Sequence, residues 1–482
     1  MQKAHIQRSN IYRILALLAG IAACVTLDQG QGIFLASSLA LLAYLSVDLR
    51  RISQFVQIDS IWVLAYLAIV CGEGIFDADI IRLNIYSGYY DMAARYINII
   101  NFIFLIGFNL IDRVWPSREI SSFTPARRGQ LYLPIVTVMY LVFLINSLPM
   151  AQQVLFEGRF QVMVQAEQIR GTEGLISGFA NNIGMLLPAV LAYHFFFIRR
   201  LNKFQGLSLF LLSYVPILAI QVAIGTRYPI VVSALSVLVV YSSRYPFGWF
   251  RSIKLVALGV VALTITTLMR QFRDYGLETN LSSLNVATNE RFFMSEGVVT
   301  YFARMIDYFE QFGFRNGLEH LAVALFWIPR ALWPGKPTQL EYWFPRAYGE
   351  SGFADSHSIA ATFAATAFAD FGFTGACLIW ALIGIGVGTL NRWATRIFYA
   401  DPGNAAIVLA SVFAGLSFFM VRQISTIVFT AIPLVVLWWV YRRGLTAAPV
   451  SILLPAERTQ EEVPVSHLTG IRVQESEPHR LG

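Results

Sequence analysis

The chain has 482 residues, of which 56% are apolar and only 13% are charged, and its formal net charge is +7. Soluble globular domains carry about 25% charged residues, and a chain this poor in charge could not cover a surface in water. The composition therefore excludes a soluble enzyme, a secreted disulfide scaffold and a disordered chain, and it indicates a polytopic membrane protein.

About twelve apolar stretches follow one another along the chain, most of them close to the roughly 20 residues that a helix needs to cross the hydrocarbon core. In chain order they are residues 11–27, 32–47, 61–76, 96–111, 131–148, 176–198, 207–225, 228–241, 253–270, 373–392, 404–420 and 424–441. We therefore expect an all-α membrane fold of about 12 transmembrane helices.

Basic residues follow every second stretch, from Arg50 and Arg51 after the second to Arg442 and Arg443 after the last. Cytoplasmic connections of membrane proteins carry an excess of Lys and Arg. The pattern therefore predicts that both termini lie in the cytoplasm.

This orientation predicts four regions along the chain. Residues 1–270 hold the first nine transmembrane helices and an outer loop at 149–175, and residues 271–372 form one large, mostly helical periplasmic loop. Residues 373–443 hold the last three helices. Residues 444–482, which are rich in proline and mixed charges, read as a disordered cytoplasmic tail.

Several basic residues break this bias because they fall on the predicted outer side: Arg159, Arg170, Arg227, Arg273, Arg330, Lys336 and Arg422. An arginine stays charged in a low dielectric, and its planar fork binds phosphate oxygens with two hydrogen bonds. These side chains predict a binding site for an anionic lipid-linked substrate, with pyrophosphate the obvious anion. The alternative is that they bind phospholipid headgroups or pair with nearby carboxylates.

Three short stretches resemble the Wzy-type O-antigen polymerases, which join oligosaccharide repeat units. IPRALWPGKP at 328–337 resembles the PR-x-LWP-x-KP segment of that family's large periplasmic loop. GTR at 225–227 and ADFGFTG at 369–375 resemble two of its helix entries. Within the first stretch, Trp333 stands between Arg330 and Lys336, which suits a saccharide face beside a phosphate. The alternative is a tryptophan that anchors the loop at the bilayer interface.

The resemblance implies a glycosyltransferase of GT-C-like architecture in the bacterial inner membrane. It would join polyprenyl-pyrophosphate-linked repeat units into a surface polysaccharide, with inversion and without a metal or other cofactor. The implied partners are this lipid-linked oligosaccharide, membrane lipids, a flippase and a chain-length regulator, with no nucleic acid. Two alternatives stay open: an O-antigen-ligase-type transferase, and a transporter or flippase for the same lipids.

Sugar transfer needs a general base, and the outer acids and histidines supply candidates. The candidates are Asp355, His357, Glu319 and His320. We expect one of the first three to serve, because His320 stands next to Glu319 and this spacing favours a surface pair.

Four further acids have other interpretations. Glu73 and Asp370 stand near outer helix ends, where each could be a solvated cap or a structural hydrogen-bond partner. The DAD sequence at 77–79 offers a rival site in which two acids hold a divalent cation against a lipid phosphate.

Overall fold

The computed structural model describes residues 2–47, 58–85, 87–114, 132–157, 172–198, 202–224, 227–244, 297–325, 328, 333–348, 359, 361–400 and 406–422. Within these residues every regular element is a helix. Nine helices come before the largest gap: α1 (Gln2–Thr26), α2 (Gly30–Ser46), α3 (Ile58–Phe76, with a π-helical turn at Leu67–Cys71), α4 (Ala78–Asn84), α5 (Ser87–Val114), α6 (Tyr132–Glu157), α7 (Thr172–Tyr193, continued by a π-helical turn at His194–Ile198), α8 (Lys203–Ala223) and α9 (Arg227–Arg244). Five follow it: α10 (Val298–Phe312), α11 (Leu318–Ala324), α12 (Leu340–Ala347), α13 (Ala365–Ala400) and α14 (Ala406–Arg422).

The expectation of an all-α fold with apolar helices long enough to cross a membrane is confirmed for the described residues. Ten predicted apolar stretches coincide with described helices, whereas those at 253–270 and 424–441 lie outside the described residues. In the described part of the chain, five helices (α3, α5, α6, α8 and α13) are long and apolar enough to cross a membrane, and four further apolar helices are shorter. The full number of spans and their orientation stay predictions, as does the tail at 444–482, which also lies outside the described residues.

One end of the bundle is held by a buried polar network. Asp59, at the start of α3, accepts hydrogen bonds from Arg13 of α1 at 3.1 Å and from the hydroxyl of Tyr44 near the end of α2 at 2.8 Å. The side-chain amide of Asn109, late in α5, donates to the same tyrosine at 2.9 Å. A charge is tolerated inside a helix bundle only when it is paired and hydrogen-bonded, and this network provides both conditions.

The opposite end of the bundle is covered by short helices. There the backbone N–H of Gly30, at the start of α2, donates to Asp91 near the start of α5 at 2.7 Å, and the hydroxyl of Tyr90 donates to the carbonyl of Gly74 at 2.6 Å. Helix α10 packs on α5 and on the end of α3, and α11 packs on α13. We call this the capped end, and it gathers the helix ends that the basic residues predict to face outwards.

Helices α5 and α13 form the most extensive contact in the described structure, and glycines allow it. A Cβ atom at Gly384 or Gly388 would overlap the carbonyl oxygen of Phe104 or Phe108 on α5. Such small residues four apart let two backbones approach closely, which is a main source of helix association in membranes. The contact fixes α13 against the bundle and thereby fixes the residues at its start.

Candidate functional site

The amphipathic helix α10 anchors the covering helices at the capped end. Its buried face includes Phe302 and Phe309, and Phe302 meets Phe368 of α13 edge-on at 5.4 Å between ring centroids. Phe309 stacks against Phe344 of α12 at 6.4 Å. These aromatic contacts hold α10, α12 and α13 in one packed unit.

Two buried acids cap the short helices from outside. The residues before α10 and α11 are Gly297 and Gly317, which have left-handed φ values of 75° and 92° and no side chain to accept a hydrogen bond. The first N–H groups of a helix need acceptors. Glu73 of α3 receives both the N–H and the hydroxyl of Thr300 at 3.3 and 3.2 Å, so the expectation that it is a structural partner is confirmed.

Asp370 of α13 caps the first turn of α11, as Glu73 caps that of α10. Its Oδ1 accepts the N–H of Glu319 at 3.0 Å and its Oδ2 accepts the N–H of His320 at 2.9 Å. The carbonyl of Asp370 also accepts the N–H of Asn316 at 3.0 Å. This acid therefore fixes the start of α11 and the turn before it. Because its side chain is buried, it is a structural hydrogen-bond partner and not a solvated cap.

A break in α13 places Asp370 for this task. Gly372 has φ 67° and ψ −168°, so α13 consists of a short first part and a long second part. A Cβ atom at Gly372 would stand 2.9 Å from the ring of Phe314, and the left-handed φ itself disfavours any side chain. The FG pair of the ADFGFTG stretch is therefore explained by backbone geometry. Residues 361–370, at the end of the predicted outer loop, are all buried.

Glu319 is buried against a tryptophan and an arginine. Its Oε1 accepts a hydrogen bond from Nε1 of Trp343 at 2.9 Å and lies 3.2 Å from Nε of Arg315. The Arg315 guanidinium lies over the Trp343 ring, 4.7 Å from its centroid. The second carboxyl oxygen of Glu319, Oε2, has no hydrogen-bond partner among the described residues. Burial raises the pKa of Glu319 to about 7, although the hydrogen bond from Trp343 and the charge of Arg315 oppose the shift.

His320 has a different partner from the one its sequence suggests. Its Nδ1 meets Oδ2 of Asp370, and the structure corrects the interpretation of Glu319 and His320 as a surface pair. The His320 side chain is 35% exposed, whereas those of Asp370 and Glu319 are 0% and 1% exposed. The Asp370–His320 pair was missed because its members stand 50 residues apart. The only signal was their common position near the predicted outer face.

A second polar cluster joins α10 to Tyr348, the residue directly after α12. The guanidinium of Arg304 lies over the rings of Tyr301 and Tyr348, 5.4 and 5.6 Å from their centroids. The hydroxyl of Tyr348 donates to Asp307 at 2.9 Å, and burial together with this acid raises the pKa of Tyr348 to about 12. The phenol therefore stays protonated and serves as a hydrogen-bond donor.

Exposed apolar side chains lie on the elements that carry the Asp370–His320 pair, and the ring of Phe371 lies 5.7 Å from the His320 imidazole. They belong to the α10–α11 connection, to α11 and to the break in α13: Phe312, Phe314, Leu318, Leu321 and Phe371. We call this set the apolar elbow. It is followed on the long part of α13 by the exposed Leu378, Leu382 and Ile385, which recur at the spacing of one helix face.

The described part of the IPRALWPGKP stretch forms a tight turn. The N–H of Lys336 donates to the carbonyl of Trp333 at 3.0 Å, and its Nζ donates to the carbonyl of Ile328 at 3.0 Å. Residues Trp333–Lys336 therefore form a turn. In the described structure neither Trp333 nor Lys336 hydrogen-bonds to Glu319, so the structure does not join these predicted site residues directly.

Most of the other predicted site residues lie outside the described residues: Asp355, His357, Arg159, Arg170, Arg273 and Arg330. Arg227 is the first residue of α9 and Arg422 is the last of α14, and these two helices pack against each other. The side chains of both arginines are outside the described part. The proposed roles of all eight residues stay predictions.

The two acids of the rival metal site at 77–79 have different surroundings. Asp77 is buried at the end of α3, whereas Asp79 is exposed on α4. Among the described residues no group of three or more metal-binding side chains comes together.

Comparison with known proteins identifies no family for this chain. No protein-family model matches the chain, and neither a curated protein nor a solved structure gives a significant match.

Proposed function

We propose that this chain is a membrane glycosyltransferase that polymerises polyprenyl-pyrophosphate-linked repeat units at the outer face of a bacterial inner membrane. The observation that carries the proposal is the neighbourhood of the capped end. A half-exposed arginine and histidine, Arg315 and His320, stand beside a buried acid and next to the apolar elbow. A substrate with a charged head and a hydrocarbon tail needs this combination.

The basic residues of the predicted outer side suit the charge that develops during this reaction. As the acceptor hydroxyl attacks the anomeric carbon, negative charge grows on the departing pyrophosphate, and fixed cations stabilise that charge. Arg227, Arg330 and Lys336 are the cations predicted from the sequence. Arg315 is added by its position, because its terminal amino groups make no hydrogen bond in the described part of the chain.

The test is the length of lipid-linked chains in cells that lack the native gene and express Arg330→Ala or Arg227→Ala. We expect single repeats in place of long polymer, with Arg51→Ala, on the predicted cytoplasmic side, as the matched control. Full-length polymer in both variants at normal protein level would contradict the proposal. In a null strain, finished polymer held on its carrier would favour the ligase alternative. Vesicles in which the purified protein flips lipid-linked repeats without elongating them would favour transport.

A further inference from the structure

Resting on the proposed function, we propose that His320 is the proton acceptor of the transfer reaction and that Asp370 is the residue that positions it. The sequence suggested Asp355, His357, Glu319 and His320 for this task, and His320 was set aside there as a surface residue. The geometry of the Asp370–His320 pair favours His320.

Asp370 fixes both the place and the tautomer of the imidazole. The carboxylate receives two backbone N–H groups of α11, so it is anchored before it meets the ring. Because a carboxylate accepts and does not donate, the proton of the ring stands on Nδ1 and the lone pair on Nε2. A buried aspartate that orients a histidine in this way is a recurrent solution in general-base catalysis. Among the described residues Nε2 has no hydrogen-bond partner.

Accessibility distinguishes His320 from its neighbour Glu319. A substrate hydroxyl reaches a base only when the base lies at a surface or in a cavity, within hydrogen-bond distance of the proton. The Glu319 side chain is 1% exposed and is already engaged with Trp343 and Arg315, whereas His320 is 35% exposed. We therefore assign Glu319 the role of holding Arg315 in place.

The step balances as follows. The acceptor oxygen forms a bond to the anomeric carbon while its proton moves to Nε2 of His320. The bond between that carbon and the pyrophosphate oxygen breaks, and its electron pair leaves with the polyprenyl pyrophosphate. The imidazolium is stabilised by Asp370 and then releases its proton to water. Asp370 is the charged group in contact with His320, and the charges of Asp370, Arg315 and Glu341 act in turn on Glu319.

The experiment uses the full-length protein in proteoliposomes and lipid-linked repeats extracted from a strain that lacks it. We expect wild type to elongate these repeats and His320→Gln to lower kcat by at least about 100-fold with little change in KM, because a general base contributes roughly 10²–10⁴ in rate. His467→Gln, in the predicted tail, is the matched control. A normal rate in His320→Gln overturns the assignment alone. A wild-type protein that elongates nothing overturns the proposed function, and the assignment with it.

Two further measurements separate chemistry from folding. Imidazole added to His320→Ala should restore part of the activity, since it occupies the vacated position, and it should leave Arg315→Ala unchanged. Diethyl pyrocarbonate should acylate Nε2 of His320 in wild type, and Asp370→Asn should slow this labelling because an amide no longer fixes the tautomer. Absence of rescue in a monodisperse His320→Ala protein, or equal labelling in Asp370→Asn, would count against the assignment.

Discussion

The surroundings of Glu319 show how the position of one side chain changes its chemistry. Its carboxylate is buried with Trp343 on one side and Arg315 on the other, and the acid Glu341 is also buried nearby. Because burial dominates, the carboxyl keeps its proton to higher pH than an exposed glutamate would. The protonation of this group is therefore coupled to the stability of the capped end.

A pH-dependent stability follows from that coupling. The pKa of Glu319 is about 7 in the folded protein against an ordinary value of 4.5, so the folded state retains a proton that the unfolded state releases. Stability should therefore fall as pH rises from 4.5 to 7. In detergent, the Tm of wild type should decline more steeply between pH 5 and pH 8 than that of Glu319→Gln. The difference should be a few degrees, since about 1 kcal/mol moves Tm by roughly 2–4 °C.

The exposed acid Glu310 of α10 provides the control for this prediction. Glu310→Gln should keep the wild-type slope of Tm against pH. Equal slopes for wild type and Glu319→Gln would show that the Glu319 carboxyl does not govern stability in this range.

At the scale of elements, backbone contact between α5 and α13 decides where the capped end stands. Gly384 and Gly388 face carbonyl oxygens of α5, whereas Gly386, on another side of the same helix, has no heavy atom within 4 Å of a Cβ built there. The three glycines therefore have different roles although they alternate in one short sequence. Close packing against α5 requires a glycine at 384 and at 388, but not at 386.

Substitution at these glycines tests the contact. Gly384→Ala should lower stability by about 1–3 kcal/mol, because the added methyl group pushes two backbones apart. Gly386→Ala should be neutral or slightly stabilising, since alanine favours the helix and meets open space. Thermal unfolding in detergent measures both. Similar Tm values for the two variants would refute the close approach of α5 and α13.

At the scale of the whole molecule, the two ends of the bundle differ in construction. The Asp59 network closes one end with buried polar groups, and the covering helices α10–α12 close the other. The distribution of basic residues predicts that the capped end faces outwards. His320, Arg315 and the apolar elbow would then stand where the outer leaflet meets water.

Cysteine labelling tests this orientation. In a protein whose own cysteines are replaced, Phe312→Cys on the exposed apolar elbow should react with a membrane-impermeant maleimide in intact spheroplasts. Ser46→Cys, at the far end of α2, should react only after permeabilisation. The reverse pattern would place the candidate site in the cytoplasm and would contradict the proposed function.

The sequence by itself determined the class of the protein, because hydropathy, helix length and charge bias are local properties that the bilayer selects directly. It also supplied ten helix positions in the described chain. The tertiary structure alone decided which polar groups meet. Glu73 caps a helix through Thr300, 227 residues later in the chain, and Asp370 reaches back 50 residues to His320. Such pairings depend on how helices pack, and no local pattern of residues encodes them.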